Sequence, residues 1–414
     1  MRARRLLPTA LASLWLAALG PSPVVGADWP QWRGPSRDGS APDGLPAELP
    51  ATLTRLWRVE VGEGHSSPVV AGGRVYVHAR DGEDEVVRAL DLADGREIWR
   101  RATPVPYRRN PAAFAHGKGP RSTPVVAGGA VCVLGVTGRL ACLEQGSGAV
   151  RWEHDFADRF DRAWPEFGAA MSPAAVGGRL IAHVGGIDSG SLSAFDLATG
   201  REIWSWSGDP PGYASPIEVT LEGVAQIVTQ SRSHVVAVAA ETGELLWKMP
   251  FATAYQQNSV TALADGPRVI VSGLDLGTIA LAPRRNGQGH WLLAIAWRND
   301  ELPMYLSSPV RRNGLLFGLT DKRKGQLFCL DSETGEALWT SAGREGDNAS
   351  LIVAGERLIV LTTQAELAIG AATADAWAPV RYTVADSETW AHPALAGNRL
   401  LVKDESHLTA WALD

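Results

Sequence analysis

Sulfur is scarce in this chain. Its 414 residues hold three cysteines and four methionines, and six tyrosines and eight phenylalanines stand against sixteen tryptophans. Cys132, Cys142 and Cys329 form no Cys-x-x-Cys pair and no adjacent pair. That removes thiol zinc sites, thioredoxin-like redox motifs and Cys-x-x-Cys-His haem attachment. The nine histidines are scattered, with no His-Glu-x-x-His and no zinc spacing. A Gly-x-Ser-x-Gly nucleophile elbow is also missing. No apolar run reaches the ~20 residues of a membrane-spanning helix. Basic residues number 39 against 45 acidic ones, a net charge of −6, and no Lys/Arg block interrupts the chain. Nucleic acid is therefore not an expected partner.

What is present begins with an export signal. Arg2, Arg4 and Arg5 precede a short apolar stretch over 6–20, and Val25-Gly26-Ala27 supplies small residues for cleavage after Ala27. No cysteine stands at the cut, so a lipoprotein is not expected. The mature chain is placed in the periplasm or cell envelope.

The dominant feature is a repeat. Five segments share a small residue, an acid two later, Thr/Ser/Asp five later, Gly six later and Trp ten later. They run from Ala89 to Trp99, Cys142 to Trp152, Ala194 to Trp204, Ala237 to Trp247 (the acid replaced by Ala239) and Cys329 to Trp339. A Ser/Thr-Pro pair opening a β-branched run precedes each: Ser67-Pro68, Thr123-Pro124, Ser172-Pro173, Ser215-Pro216 and Ser308-Pro309. Degenerate copies at Ser259-Val260, Ser350-Leu351 and His392-Pro393 bring the units to eight. Each unit reads as period-two strands broken by Gly-rich turns, so four short antiparallel strands per unit are expected.

This predicts an all-β, eight-bladed β-propeller of four-stranded antiparallel blades over 51–414. The eighth unit lacks its fourth strand, and an unassigned strand around Trp57 precedes the first unit. The N-terminal strand is therefore expected to complete the last blade and hide both edges. Trp57, Trp99, Trp152, Trp204, Trp247, Trp297 and Trp339 form one structural series, with Tyr382 in the remaining slot. Residues 28–50, rich in Pro, Gly, Asp and Ser, are expected to form an irregular arm that Trp29 and Trp32 pin to the propeller flank.

The motif resembles the pyrroloquinoline-quinone (PQQ) repeat, Ala-x-Asp-x-x-Thr-Gly-x-x-x-Trp. The resemblance implies that each Trp docks over the turn glycine of a neighbouring blade. The same repeat serves quinoprotein dehydrogenases, which hold PQQ and calcium at the ring axis, and non-catalytic protein-binding propellers similar to BamB. The opening Asp28-Trp29-Pro30-Gln31-Trp32-Arg33-Gly34-Pro35 resembles exported PQQ-like propellers without an assigned activity. No adjacent cysteine pair, haem motif or long inter-blade insertion marks this chain as a quinoprotein alcohol dehydrogenase. The expected function is a non-catalytic envelope binding or scaffold propeller, a monomer without cofactor. The alternative is a PQQ- and calcium-dependent oxidoreductase acting on alcohols or sugars.

Register also sets expectations for single residues. Cys132 and Cys142 fall opposite each other about the turn near Thr137, within disulfide reach in an oxidising compartment. Cys329 occupies a small-residue core slot. The acids Asp155, Asp158, Asp161 and Glu166 lack the alternation of a calcium loop and read as a solvated loop. The stretch Tyr107-Arg108-Arg109-Asn110, followed by His116, Lys118 and Arg121, reads as a surface loop or as an anion or partner contact. Counting two residues back from each marker gives a ring at one channel mouth: His65, Arg121, Ala170, Tyr213, Gln257, Leu306, Asn348 and Trp390. His65, Arg121, Tyr213, Gln257, Asn348 and Trp390 are its binding candidates, for a protein partner or a small polar ligand; no metal site is expected.

Overall fold

The computed structural model describes residues 28–42, 44–160 and 164–414. The export segment with its cleavage position and Asp161 lie outside the described residues.

Eight sheets surround one axis. Six are meanders of four strands that follow one another in sequence from the axis outward. Blade one shows why the chain folds this way. Val69–Ala71 and Arg74–Asp81 are joined by Gly72-Gly73, whose φ values of 59° and 73° suit a two-residue hairpin only glycine adopts freely. Asp84–Asp91 and Glu97–Pro104 follow, and burial declines outward from the all-buried Val69–Ala71 to the largely exposed last strand.

The last blade closes as expected. Ala394–Ala396, Arg399–Lys403 and His407–Ala412 are joined by Thr54–Glu60, which pairs antiparallel with His407–Ala412 and sets Trp57 opposite Ala410. Blade seven carries a fifth strand: Ser40–Ala41 lies parallel to the innermost Ala349–Ala354.

Two rings of contacts join the blades. In the outer ring, Trp57, Trp99, Trp152 and Trp204 each lie on the turn glycine of the next blade. A Cβ built on Gly95, Gly148, Gly200 or Gly243 would stand 2.5–2.9 Å from the ring, so a side chain there has no room. Trp297 sits likewise on Gly335. Each indole N–H donates to a carbonyl three residues before that glycine, as Trp204 does to Ala240 at 3.1 Å. Blades five and seven lack such a turn glycine ahead of Trp247 and Trp339. Trp247 donates instead to Gln226 Oε1 of its own blade, and Trp339 stacks on Trp377 and donates to Thr373. Tyr382, the eighth member, gives its hydroxyl to Pro50.

The inner ring explains the Ser/Thr-Pro markers. The amide of Ser67 donates to Thr123 Oγ1, that of Thr123 to Ser172 Oγ, and that of Ser172 to Ser215 Oγ, at 2.9–3.2 Å. Thr261 to Ser308 and Ala349 to Ser307 repeat the pattern at 3.0 Å. Each hydroxyl takes an amide that the short inner strand leaves unpaired.

The arm departs from expectation. It does not lie on the flank; it fills the channel. Trp29 is 1% exposed and exchanges two 2.9 Å backbone hydrogen bonds with Val70 of blade one. Pro30 accepts from Val126 of blade two. Arg37 donates to Ser172 and Pro173 of blade three and to Pro216 of blade four, at 2.8–2.9 Å. Trp32 donates to Thr261 of blade five, and Arg33 to Pro309 of blade six. Ser40–Ala41 joins blade seven, and His392 of blade eight packs on Trp29 and Trp32. The physical reason is hydrogen bonding. Short inner strands turn carbonyls toward the axis, and two guanidiniums supply enough donors to satisfy them.

Candidate functional site

All eight positions counted from the markers line one cavity of about 400 Å³ at the channel mouth. His65, Arg121, Ala170, Tyr213, Gln257, Leu306, Asn348 and Trp390 each come from a different blade, so only the closed ring brings them together. The sequence did not point to Trp32, His116, Phe167 and Tyr305, which also line it, or to the hydroxyls of Ser172, Ser215, Ser259 and Thr261. The hydroxyls were legible, because they are the marker residues themselves or their neighbours. Nothing in the sequence brings Trp32 to the axis.

The arm makes this space a cup. One leg lies along the inner strand of blade one, where Trp29 pairs with Val70, and the other along that of blade seven, where Ala41 pairs with Ala354. Trp32 is the arm residue that reaches the cavity, and the channel is filled beneath it.

The walls divide by chemistry. His65, His116 and Trp390 form an aromatic cluster, with Trp390 edge-on to His116 at a centroid distance of 4.9 Å. Glu388 holds the Trp390 indole N–H at 2.8 Å. Phe167 and Tyr213 meet edge-on at 6.0 Å, and the Tyr213 hydroxyl accepts from the Phe167 amide. Gln257 takes the Tyr305 hydroxyl, and Asn348 takes that of Ser307 at 2.6 Å.

Arg121 is the one charged side chain among the lining residues at neutral pH. Burial pulls its guanidinium below the ordinary value, with Tyr107 and Tyr213 opposing. Burial, then Arg121, Lys403 and His116, press His65 down to about 3, and burial and Arg121 also lower His116. Both imidazoles are therefore neutral. Burial pushes Tyr213 up to about 12.

The long loops beside the mouth are tied together. Asn110 donates to Glu166 at 2.8 Å, Lys118 reaches Glu83 at 3.1 Å, and Arg109 lies 4.2 Å over the ring of Phe114. Asp155 caps the turn at Phe156–Asp158 through the Ala157 amide. Cys132 and Cys142 form a disulfide between neighbouring strands of blade two, with Cα atoms 4.0 Å apart, and Cys329 is free and buried. Among the described residues, no three His, Cys, Asp or Glu side chains gather as a metal site requires. Nor is any helix there long and apolar enough to cross a membrane.

The family model described as outer membrane protein assembly factor BamB matches residues 50–118, 83–341 and 294–413. Nearly all of the propeller is covered. The chain belongs to the BamB family. An outer membrane protein assembly factor BamB from Yersinia pestis is 24% identical over 354 residues, covering 80% of this chain and 81% of that protein. The crystal structure of BamB from Moraxella catarrhalis superposes with a TM-score of 0.63 at 14% identity, covering 87% of this chain and 98% of that one. A quinohemoprotein alcohol dehydrogenase from Pseudomonas putida superposes with a TM-score of 0.66 at 15% identity, covering 93% and 80%. These structural likenesses describe the fold. They include an assembly factor and an alcohol dehydrogenase alike, so function rests on the residues at the axis.

Proposed function

We propose that this chain is an exported, non-catalytic binding propeller of the cell envelope that works in outer membrane protein assembly as a monomer. Its partner surface is the mouth around the axial cup. The observation that carries this reading is the convergence of one residue from each of eight blades on a single cavity. Concave sites with a few convergent polar groups on apolar walls are where proteins hold ligands. BamB relatives support the assembly role. The basic, then apolar, then small-residue pattern over 1–27 supports export to the envelope.

The competing reading, PQQ and calcium at the axis, meets the wrong donors. Calcium takes six to eight oxygens and favours carboxylates, yet no carboxylate lines the cup and its fixed charge is a guanidinium. The disulfide lies within blade two and joins no adjacent cysteines.

The test is to replace Arg121, Tyr213 and Trp390 together with Ala. Arginine and aromatic side chains commonly contribute ≥ ~2 kcal/mol each at interfaces. Capture of the partner from envelope extract should be lost while Tm stays nearly unchanged. Asp158→Ala, on the exposed loop, should have little effect. Capture that survives the triple substitution would remove the site from the axis.

A further inference from the structure

The link from blade one to blade two has two sides. Its inner side sends His116 and Arg121 into the cup. Its outer side forms a second hollow of about 350 Å³, lined by Tyr107, Arg108, Arg109, Pro111, Phe114 and Lys118. No residue lines both spaces. Tyr107, the buried member of the hollow, engages Arg121 on the cup side.

The chain is acidic as a whole, with a net charge of −6, yet three of the six lining residues are cations and none is an acid. Their charges are incompletely matched. Lys118 pairs with Glu83 at 3.1 Å, but Glu83 also serves Arg80 at 3.0 Å. Glu166 gives its carboxylate to Asn110. Arg109 donates to the Phe114 carbonyl at 3.2 Å and lies over the Phe114 ring. Arg108 is exposed and makes no ion pair or side-chain hydrogen bond among the described residues. The apolar part of the hollow is open too. Phe114 stands on the short turn Pro111–His116 and is 59% exposed, the one exposed phenylalanine of eight. A cationic rim around an open apolar ring matches a ligand with an anionic head and an apolar body.

We propose that this outer hollow binds a phosphate monoester that carries an apolar group. Arg108, Arg109 and Lys118 take the phosphate, and the apolar group lies on Phe114 and Pro111. Guanidiniums match phosphate oxygens with parallel hydrogen bonds, and an ammonium adds a point charge. A phosphate monoester brings about two negative charges and three free oxygens, enough for two guanidiniums and one ammonium together. The site uses no residue of the cup, so it stands or falls apart from the axial reading. The ester arrives either as a soluble molecule or as the head of a lipid.

The experiment titrates the mature protein by calorimetry with phenyl phosphate, inorganic phosphate and benzoate. Phenyl phosphate should bind about tenfold more tightly than either of the others. Arg108→Gln removes one charge-assisted contact from an exposed side chain without a partner, so it should weaken phenyl phosphate about tenfold at unchanged Tm. Adding Lys118→Gln should abolish binding. Phe114→Ser should erase the advantage over inorganic phosphate. The triple Ala variant of the cup should bind phenyl phosphate as the unaltered protein does, whatever becomes of its envelope partner. Equal binding of the three probes, or binding that survives Arg108→Gln with Lys118→Gln, overturns the proposal. So does binding lost in the cup variant, which would place the ester at the axis. Loss of the envelope partner in the Arg108→Gln, Lys118→Gln protein, with phenyl phosphate unmoved, would make the hollow a protein contact and overturn it as well. Vesicle flotation separates the two sources. Protein that floats with phosphatidylcholine vesicles containing phosphatidate, but not with phosphatidylcholine alone, holds a lipid head. Protein that binds phenyl phosphate and floats with neither holds a soluble ester. Both results support the site.

Discussion

The mouth and the floor of the channel are built from opposite materials. Most mouth residues are partly exposed, and they come one from each blade. The floor is a single contiguous segment, with Trp29, Arg33 and Arg37 buried, whose guanidiniums reach carbonyls on three blades. The mouth can therefore change without disturbing the fold, whereas the floor cannot. The same axis carries a recognition surface at one end and a fastening at the other.

The largest effect should come from removing the strand that follows the floor. Deleting 51–62 removes the outermost strand of blade eight and leaves a free edge. Cooperative unfolding should disappear, or the protein should aggregate. A truncated chain that melts like the intact one would refute the closure.

Next comes a direct comparison of two tryptophans. An arm on the flank would make Trp29→Ala mild; an arm in the channel makes it costly. Trp29→Ala and Trp204→Ala should each cost ~3–5 kcal/mol in chemical denaturation. A Trp29 effect under ~1 kcal/mol would return the arm to the surface.

A smaller effect should follow pH. Burial lowers His392, packed against the floor, and His183 to about 4. Their unfolded values lie near ~6.5. Between those limits the unfolded chain binds more protons, so stability falls as pH drops from about 6.5 toward 4. Urea midpoints should decline over that window, and His392→Gln should reduce the decline. A flat profile would show that the imidazoles are not buried as described.

The unequal legibility of mouth and floor has a physical origin. The Gly-x-x-x-Trp spacing recurs because each copy solves the same contact, a ring over a turn with no room for Cβ. Register then carries from one blade to the next, so counting back from Ser67 or Ser215 lands on the cup at His65 and Tyr213. The arm repeats nothing. Pro30, Gly34 and Gly39 mark it as irregular, but they do not say that Arg33 and Arg37 match a ring of carbonyls formed by strands far away in sequence. Trp32, His116 and Phe167 were missed for the same reason: each enters the cup from a loop or the arm, outside the repeat. Trp247 and Trp339 were read as equivalents of Trp204 because the motif specifies the ring but not what the next blade offers it.

The most direct test of the binding surface places a photo-crosslinking phenylalanine at Leu306, in the mouth, and separately at Leu292, which is 46% exposed on the outermost strand of blade five. Illumination of envelopes should give a crosslinked partner from Leu306 and none from Leu292. A crosslink from Leu292 with none from Leu306 would place the partner on the rim and contradict the account.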